Sequence, residues 1–412
     1  MEEKSKKPKI RFKGFTEAWE QRKLGDIVYL RGRIGFRGYK RTDLVSEGDG
    51  AITFSPADID DDGHLKLENN TYISFDKYEE SPEIKVHEGD ILFTKTASIG
   101  KIAYVPKLRE KSTINPQFAL LTPKNNIDNY FLFLSLRTED CLTYAKNITG
   151  GSTIPTMSQE KLKEMDIILP DKEEQKKIGQ YFKSIDNLIT LHQRKYDKLV
   201  NIKKSLLEKM FSQNDSNVPK IRFKGFTEAW EQRKLSELSN VFDGTHQTPD
   251  YKDKGVMFLS VENIKTLQSE KYISKEDFIK NFKNYPEKND ILMTRIGDIG
   301  TPNIVKDNTP KAYYVSLALI KPTKINSSYL NIAIQSNFVQ KGIKQRSLLT
   351  AIPMKINKDQ IGQVEIQYPT DSKEQEKIGG LFKNIDNLIT LHQRKLEKLK
   401  NIKKSLLEKM FI

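Results

Sequence analysis

A single cysteine, Cys141, is present in 412 residues. One thiol leaves no intrachain disulfide and no thiolate zinc cluster, and it fits a reducing cytoplasm. A Gly-x-x-x-x-Gly-Lys phosphate loop is absent, which excludes ATP binding by that route. Neither a signal peptide nor an apolar run long enough to span a bilayer is found, so a cytoplasmic chain without membrane contact is expected. The five histidines, His64, His87, His192, His246 and His392, show no ligand spacing, and no metal site is expected of them.

Catalytic motifs are equally scarce. Asn115-Pro116-Gln117-Phe118 approaches the Asn-Pro-Pro-Phe loop of amino-group methyltransferases, but its third residue is Gln and no glycine-rich turn accompanies it to hold a methyl donor. Asp62 with Glu83-Ile84-Lys85 imitates the spacing of metal-dependent nucleases, yet loosely spaced carboxylates are common in a chain with 30% charged residues. No catalysis by this chain alone is expected, and no cofactor within it.

Positive charge, by contrast, is plentiful. Lys and Arg number 69 against 55 Asp and Glu, a net +14 spread over both halves. Such a balance favours a polyanionic partner such as nucleic acid, through phosphate neutralisation and counterion release. With 37% hydrophobic residues the chain can fill real cores, while a mean hydropathy of −0.61 indicates a wet surface or much exposed helix. The length leaves room for two or three domains.

The chain is built as a repeat. Pro8 to Leu24 read PKIRFKGFTEAWEQRKL, and Pro219 to Leu235 read the same, 211 positions on. Asp186 to Lys195 (DNLITLHQRK) return at 386–395, and Asn201 to Phe211 (NIKKSLLEKMF) at 401–411, both 200 positions on. The plan is box, variable block and long helix, twice, with the polar Ser212–Val218 as a linker. Because Gly89-Asp90-Ile91-Leu92 already match Asn289-Asp290-Ile291-Leu292 at the shorter offset, the extra eleven residues of the first block fall between Leu24 and Gly89.

In the helical stretch, Ile178, Phe182, Ile185, Ile189, His192, Tyr196, Leu199, Lys203, Leu206 and Met210 alternate four and three apart. The second copy supplies Ile378, Phe382, Ile385, Ile389, His392, Leu396, Leu399, Lys403, Leu406 and Met410. This heptad seam keeps one narrow stripe facing a partner helix. Asp171 with Glu174, and Asp371 with Glu374, make capping-box starts, so each copy is expected to be one helix about 50 Å long. Packing the copies on each other buries both stripes, with the polar seam residues His192, Lys203, His392 and Lys403 fixing register and partner. Helices packed only on their own domains are the plainer arrangement. The identity of their exposed faces also suggests a common external partner.

Short apolar runs bounded by Gly, Pro or Asp predict strands at Ala51–Phe54, Ile91–Thr94, Ile102–Val105 and Phe118–Leu121, then at Met257–Val261, Ile291–Thr294, Asn303–Val305 and Tyr314–Ile320. Tyr130–Leu136, Gln159–Met165, Tyr329–Gln335 and Lys358–Gly362 read as helical. Candidate DNA contacts are cations and short polar side chains in Gly-rich or matched loops. In the first block they are Arg31, Arg33, Arg37, Lys40, Arg41, Lys95, Thr96, Ser98, Lys101, Ser152 and Thr153. The second offers Thr245, His246, Gln247, Arg295, Asp298, Lys344, Arg346 and Ser347. For any one of them a solvated loop residue is an equal reading; their recurrence at matched places favours contact.

On the box, on GDILFTKTASIGKIAYV from Gly89 to Val105, on TIPTMSQEKLKEMDIILPDKEEQKKI from Thr153 to Ile178, and on the duplicated helix, the chain closely resembles the specificity (S) subunit of type I restriction-modification systems. The resemblance covers nearly the whole sequence. It implies an α+β fold of two mixed α/β target recognition domains, here 1–170 and 219–370, separated by two long antiparallel helices, 171–211 and 371–412, as a coiled-coil spacer with a pseudo-twofold internal repeat. Residues 212–218 are the linker. Each domain would read one half of a bipartite, asymmetric site in double-stranded DNA. Two M (methyltransferase) subunits using S-adenosylmethionine to modify adenine, and two R (restriction/translocase) subunits using ATP and Mg, would be the partners. Asn289 in place of Gly89, and Thr301-Pro302 after the second Ile-Gly turn, depart from the first block and put those loops in question. A bivalent scaffold whose blocks bind protein rather than DNA is the main competing class, and a free-standing nuclease or methyltransferase is another.

Overall fold

The computed structural model describes residues 7–33, 38–148, 155–211, 217–348 and 350–411. It divides into two compact units, Met1–Leu191 with Lys395–Ile412, and His192–Arg394. Each unit takes the start of one long helix and the end of the other.

In the first unit an antiparallel sheet runs in the order Val28–Arg31, Phe118–Pro123, Ile91–Thr94, Ile102–Tyr104. A second sheet runs Leu44–Val45, Thr71–Ser74, Gly50–Phe54, Ser112–Ile114, with its last pair parallel. Ile91–Thr94 and Gly50–Phe54 are buried at every position, and Phe118–Pro123 over its first four, because both faces are covered. Ile91 and Phe93 point to a core with the helix Asn129–Leu136, while Leu92, Phe118 and Leu120 meet Ile52, Phe54 and Ile114 of the second sheet. Asn129–Leu136 is buried from Tyr130 to Leu136, and Asp128 caps it by accepting from Phe131 N.

The second unit repeats the plan, with sheets Ser239–Asp243, Leu317–Pro322, Ile291–Thr294, Pro302–Ile304 and Tyr272–Ile273, Val256–Leu259, Lys311–Tyr313. Here again Ile291 and Met293 face one core and Leu292 the other. The first unit's edge strand Leu44–Val45 lies in the stretch where its block is longer. Asn289 keeps the turn that Gly89 makes, both at positive φ (74° and 89°), and both amides donate to the carbonyl of the matching valine, Val305 and Val105. Asn is among the few side-chain-bearing residues that tolerate this region. Pro302 sits on an edge strand, where a missing N–H is harmless.

The long helices are Lys172–Met210 and Ser372–Met410, 39 residues each. Asp171 Oδ1 accepts from Glu173 N and Glu174 N at 2.9 and 3.1 Å, and Asp371 Oδ1 from Lys373 N at 2.8 Å. Glu174 and Glu374 do not close the expected capping boxes. Their carboxylates, fully buried, instead take bidentate pairs from the boxes, Arg11 (2.7 and 2.8 Å) and Arg222 (2.7 and 2.8 Å).

The helices pair antiparallel within each unit. In the first, Phe182 meets Phe411 and Asp186 meets Lys403 (2.6 Å). In the second, His192 meets His392, Lys203 meets Asp386 (2.7 Å) and Phe211 meets Phe382. Ile178, Phe182, Ile185, Ile189, Met210, Ile378, Phe382, Ile385, Leu396 and Met410 are buried, and Tyr196, Leu199, Leu206, Ile389, Leu399 and Leu406 are half-buried. The two imidazoles share an Nδ1 to Nδ1 hydrogen bond of 2.8 Å, so one ring donates and the other accepts there.

The repeated box explains much of the repetition. Its strand, Glu20–Lys23 or Glu231–Lys234, pairs with Asp166–Leu169 or Glu365–Tyr368. Ile10 N donates to Lys409 O and Ile221 N to Lys209 O, both at 2.9 Å, so each box ties down the end of the long helix from the other repeat. Trp19 then packs on Phe131 and Phe411, and Trp230 on Phe211 and Tyr329.

Candidate nucleic-acid interface

Two loop pairs recur in the same relation. In the first unit, the segment after Ile91–Thr94 is stitched to residues 155–157: Ala97 N donates to Pro155 O (3.0 Å), Met157 N to Lys95 O (2.8 Å), and Thr96 bridges Thr156. In the second, Gly297 N donates to Met354 O (2.8 Å), Ile356 N to Arg295 O (3.0 Å), and Ile296 bridges Lys355. One backbone platform thus carries Lys95-Thr96-Ala97-Ser98 in one unit and Arg295-Ile296-Gly297-Asp298 in the other. Fixed backbone with unlike side chains suits two readers of different sequences.

The candidate side chains differ in availability. Lys40, Arg41, Ser98 and Lys101 are exposed, and Lys95 and Thr96 are half-buried beside them. Arg31 is half-buried and donates to Thr122 Oγ1, whose hydroxyl donates to Asp90 (2.5 Å). Arg33 donates to Ile114 O at 3.0 Å, and burial pushes its guanidinium pKa down. Both are held within the unit. Arg37, Ser152 and Thr153 lie outside the described residues.

In the second unit His246, Gln247, Asp298 and Lys344 are exposed. Thr245 Oγ1 accepts from Gln247 N (3.3 Å), Arg346 donates to Gly342 O (3.3 Å) and Ser347 to Ile343 O (2.7 Å). Arg295 requires a correction to its reading as a loop cation. It is 5% exposed, ion-paired with Asp243 and hydrogen-bonded to Ile356 O at 3.1 Å, so it fastens the platform rather than reaching out from it. The loop Gly244–Asp250 borders an open polar hollow of about 570 Å3 whose opposite wall carries Lys280, Asn281, Lys283 and Asn284. The amides there are of the type that read adenine edges. Sequence reasoning passed over them because they sit singly, without a motif, at a helix end.

The near-matches to catalytic motifs are used structurally. Asn115 and Gln117 close their own turn, Asn115 Nδ2 donating to Gln117 Oε1 at 2.9 Å and Gln117 N to Asn115 Oδ1 at 3.0 Å. Lys85 is paired with Glu79, and Asp62 with Lys400 (3.4 Å). Burial raises the Cys141 thiol to about 11. Burial, with Asp186 alongside, holds the Tyr130 phenol well above its ordinary range, and its hydroxyl donates to Asp186 at 2.5 Å. Among the described residues no cluster of His, Cys, Asp or Glu is arranged to hold a metal, and no helix is long and apolar enough to cross a membrane.

Comparison with known proteins agrees with this double arrangement. The family described as "Type I restriction modification DNA specificity domain" matches twice, over residues 16–201 and 227–401. Two proteins of Methanocaldococcus jannaschii, the type I restriction enzyme MjaVIII and MjaIX specificity subunits, are 25% and 24% identical, covering 95% of this chain and 91% and 92% of theirs. The crystal structure of a type I restriction-modification S subunit from M. genitalium shares the fold, with a TM-score of 0.68 over 98% of this chain and 99% of that one at 15% identity.

Proposed function

Because the chain belongs to the type I restriction-modification DNA specificity family, we propose that it is the sequence-reading subunit of such a system, each of its two units reading one half of a bipartite, asymmetric site in double-stranded DNA. The observation that carries this reading is the platform that recurs with unlike side chains. In the first unit Lys95, Thr96, Ser98 and Lys101 with Lys40 and Arg41 are the reading set, supported from behind by Arg31 and Arg33 and extended by Arg37, Ser152 and Thr153. In the second, Thr245, His246, Gln247, Asp298, Lys344, Arg346 and Ser347 play that part, with Arg295 as the internal fastening. Target recognition domains 1–170 and 219–370 are joined by the helices 171–211 and 371–412, with 212–218 as linker, and the helices set the half-site spacing.

The chain does no chemistry by itself in this reading. Its partners are two methyltransferase subunits, which bring S-adenosylmethionine to adenine, and two restriction subunits, which bring ATP and Mg, in the cytoplasm. Docking of the methyltransferase subunits on the helices is supported by Leu188 and Leu191 in one unit and Leu388 and Leu391 in the other, each 44–46% exposed at repeated positions off the seam. Exposed leucines that recur in both copies suit a partner that binds twice.

Replacing residues 25–150 by the corresponding block of a relative, followed by selection of bound sites from random DNA, tests the assignment. One half-site changes and the other stays. Changes in both halves, or binding indifferent to salt and to competitor sequence, refute it.

A further inference from the structure

In the second unit Leu348 and the segment 350–356 turn apolar side chains to solvent. Leu348 is 48% exposed, Met354 43%, and Ile352 completely so at 101%, with Pro353 exposed beside it. The loop is nevertheless anchored at its base. Leu348 N donates to Lys355 O (2.8 Å), Gly297 N to Met354 O (2.8 Å), and Arg295, itself held by Asp243, donates to Ile356 O. The tip therefore stands on the same platform as the reading loop.

Its surroundings indicate what covers it. Lys344, Lys355 and Lys358 are exposed on the flanking segments and Arg346 is half-buried there, against two exposed carboxylates, Asp359 beside Lys358 (4.0 Å) in the helix Lys358–Gly362, and Asp298 on the stitched loop. A greasy point flanked by more cations than carboxylates fits a partner that is anionic outside and apolar within, and a DNA duplex has that layering, phosphates around stacked bases.

Resting on the reading of this chain as a DNA-reading subunit, we propose that Ile352, backed by Pro353, Met354 and Leu348, enters between adjacent base pairs of the half-site read by the second unit, while the cations hold the phosphates on either side. Ile, Leu, Met and Pro are the side chains that serve as such wedges. The opened step contributes to specificity without any hydrogen bond to a base, since pyrimidine–purine steps unstack most readily.

The full chain is tested on duplexes carrying its selected site with 2-aminopurine placed at successive positions of that half-site. The unaltered protein raises the fluorescence several-fold at one step. Ile352→Ala abolishes the rise and weakens binding about tenfold, with the salt dependence unchanged. Lys355→Ala keeps the rise at saturation and lowers the salt slope by about one. Three results overturn the wedge. The first is selective, salt-dependent binding with no rise at any position, and the second is unaltered affinity and fluorescence in Ile352→Ala. In the third, Ile352→Asp loses a methyltransferase partner while DNA contacts persist, which would put a protein on the tip. If the unaltered chain shows no sequence preference at all, it is the specificity reading that falls, and the wedge with it.

Discussion

The buried pair Arg11–Glu174 offers the sharpest test of what closes each unit. The Glu174 side chain has no exposure and that of Arg11 13%, and the twin pair Arg222–Glu374 has 0% and 12%. Arg11→Met removes the guanidinium fork from a fully buried carboxylate, and an orphaned buried charge costs about 3–5 kcal/mol. For a unit of this size, at about 2–4 °C per kcal/mol, the melting temperature falls by roughly 6–20 °C. Replacing both partners, Arg11→Met with Glu174→Leu, restores most of the loss, because the penalty lies in the unpaired charge rather than in the absent pair. The chain has two tryptophans, and each reports on one unit: Trp19 sits in the first and Trp230 in the second. In a Trp230→Phe background, fluorescence melting of Arg11→Met reads the first unit. Arg222→Met in a Trp19→Phe background reads the second, and the matched geometry demands a matched loss. A loss below about 1 kcal/mol in either, or a double variant no better than the single, would refute the argument.

Further outcomes follow from the same structure. Phe411→Ala and Phe211→Ala each cost about 3–5 kcal/mol, since both rings are buried against a tryptophan; denaturant unfolding with the matching tryptophan as probe checks this. Cys141, 8% exposed with its thiol at about 11, stays unlabelled by a thiol reagent at pH 8 and reacts at once in denaturant. Rapid labelling of the native chain would contradict its burial. Inserting one or two helical turns after Leu199 changes the spacer of the selected DNA site or abolishes binding, and an unchanged spacer at full affinity would count against the helices as the ruler.

Legibility in the sequence followed burial. Ile91–Thr94 and Ile291–Thr294 were readable to the residue because an unbroken apolar run after Asp90 or Asp290 admits few alternatives, and Lys358–Gly362 was readable too. The strand expected at Met257–Val261 runs instead from Val256 to Leu259, because Ser260 N donates to Asn263 Oδ1 and a turn starts at Val261. Tyr314–Ile320 merges the approach to a strand that begins at Leu317 with a turn following Lys311–Tyr313, a strand of the other sheet. The box strand Glu20–Lys23 carried no apolar signal, since all four side chains are exposed and its pairing rests on backbone and on the cross-strand ion pair Lys23–Asp166 (2.8 Å). The same limit applied to the site. Arg295 announces a cation, whereas its partner Asp243 stands 52 positions away, and only the fold brings them together. Glu174 likewise looked like a local cap because its true partner is 163 positions distant.

The membership of the first unit also bears on how the protein is made. Its core takes in Met410 and Phe411, which are synthesised only after the whole of the second unit, whereas the second unit occupies one continuous stretch of chain. At about 5–20 residues per second, the gap between Leu191 and Lys395 keeps the first unit waiting for roughly 10–40 s of synthesis. During that interval Trp19 and Phe131 lack the Phe411 ring that covers them, so of the two units the one begun first is the one completed last.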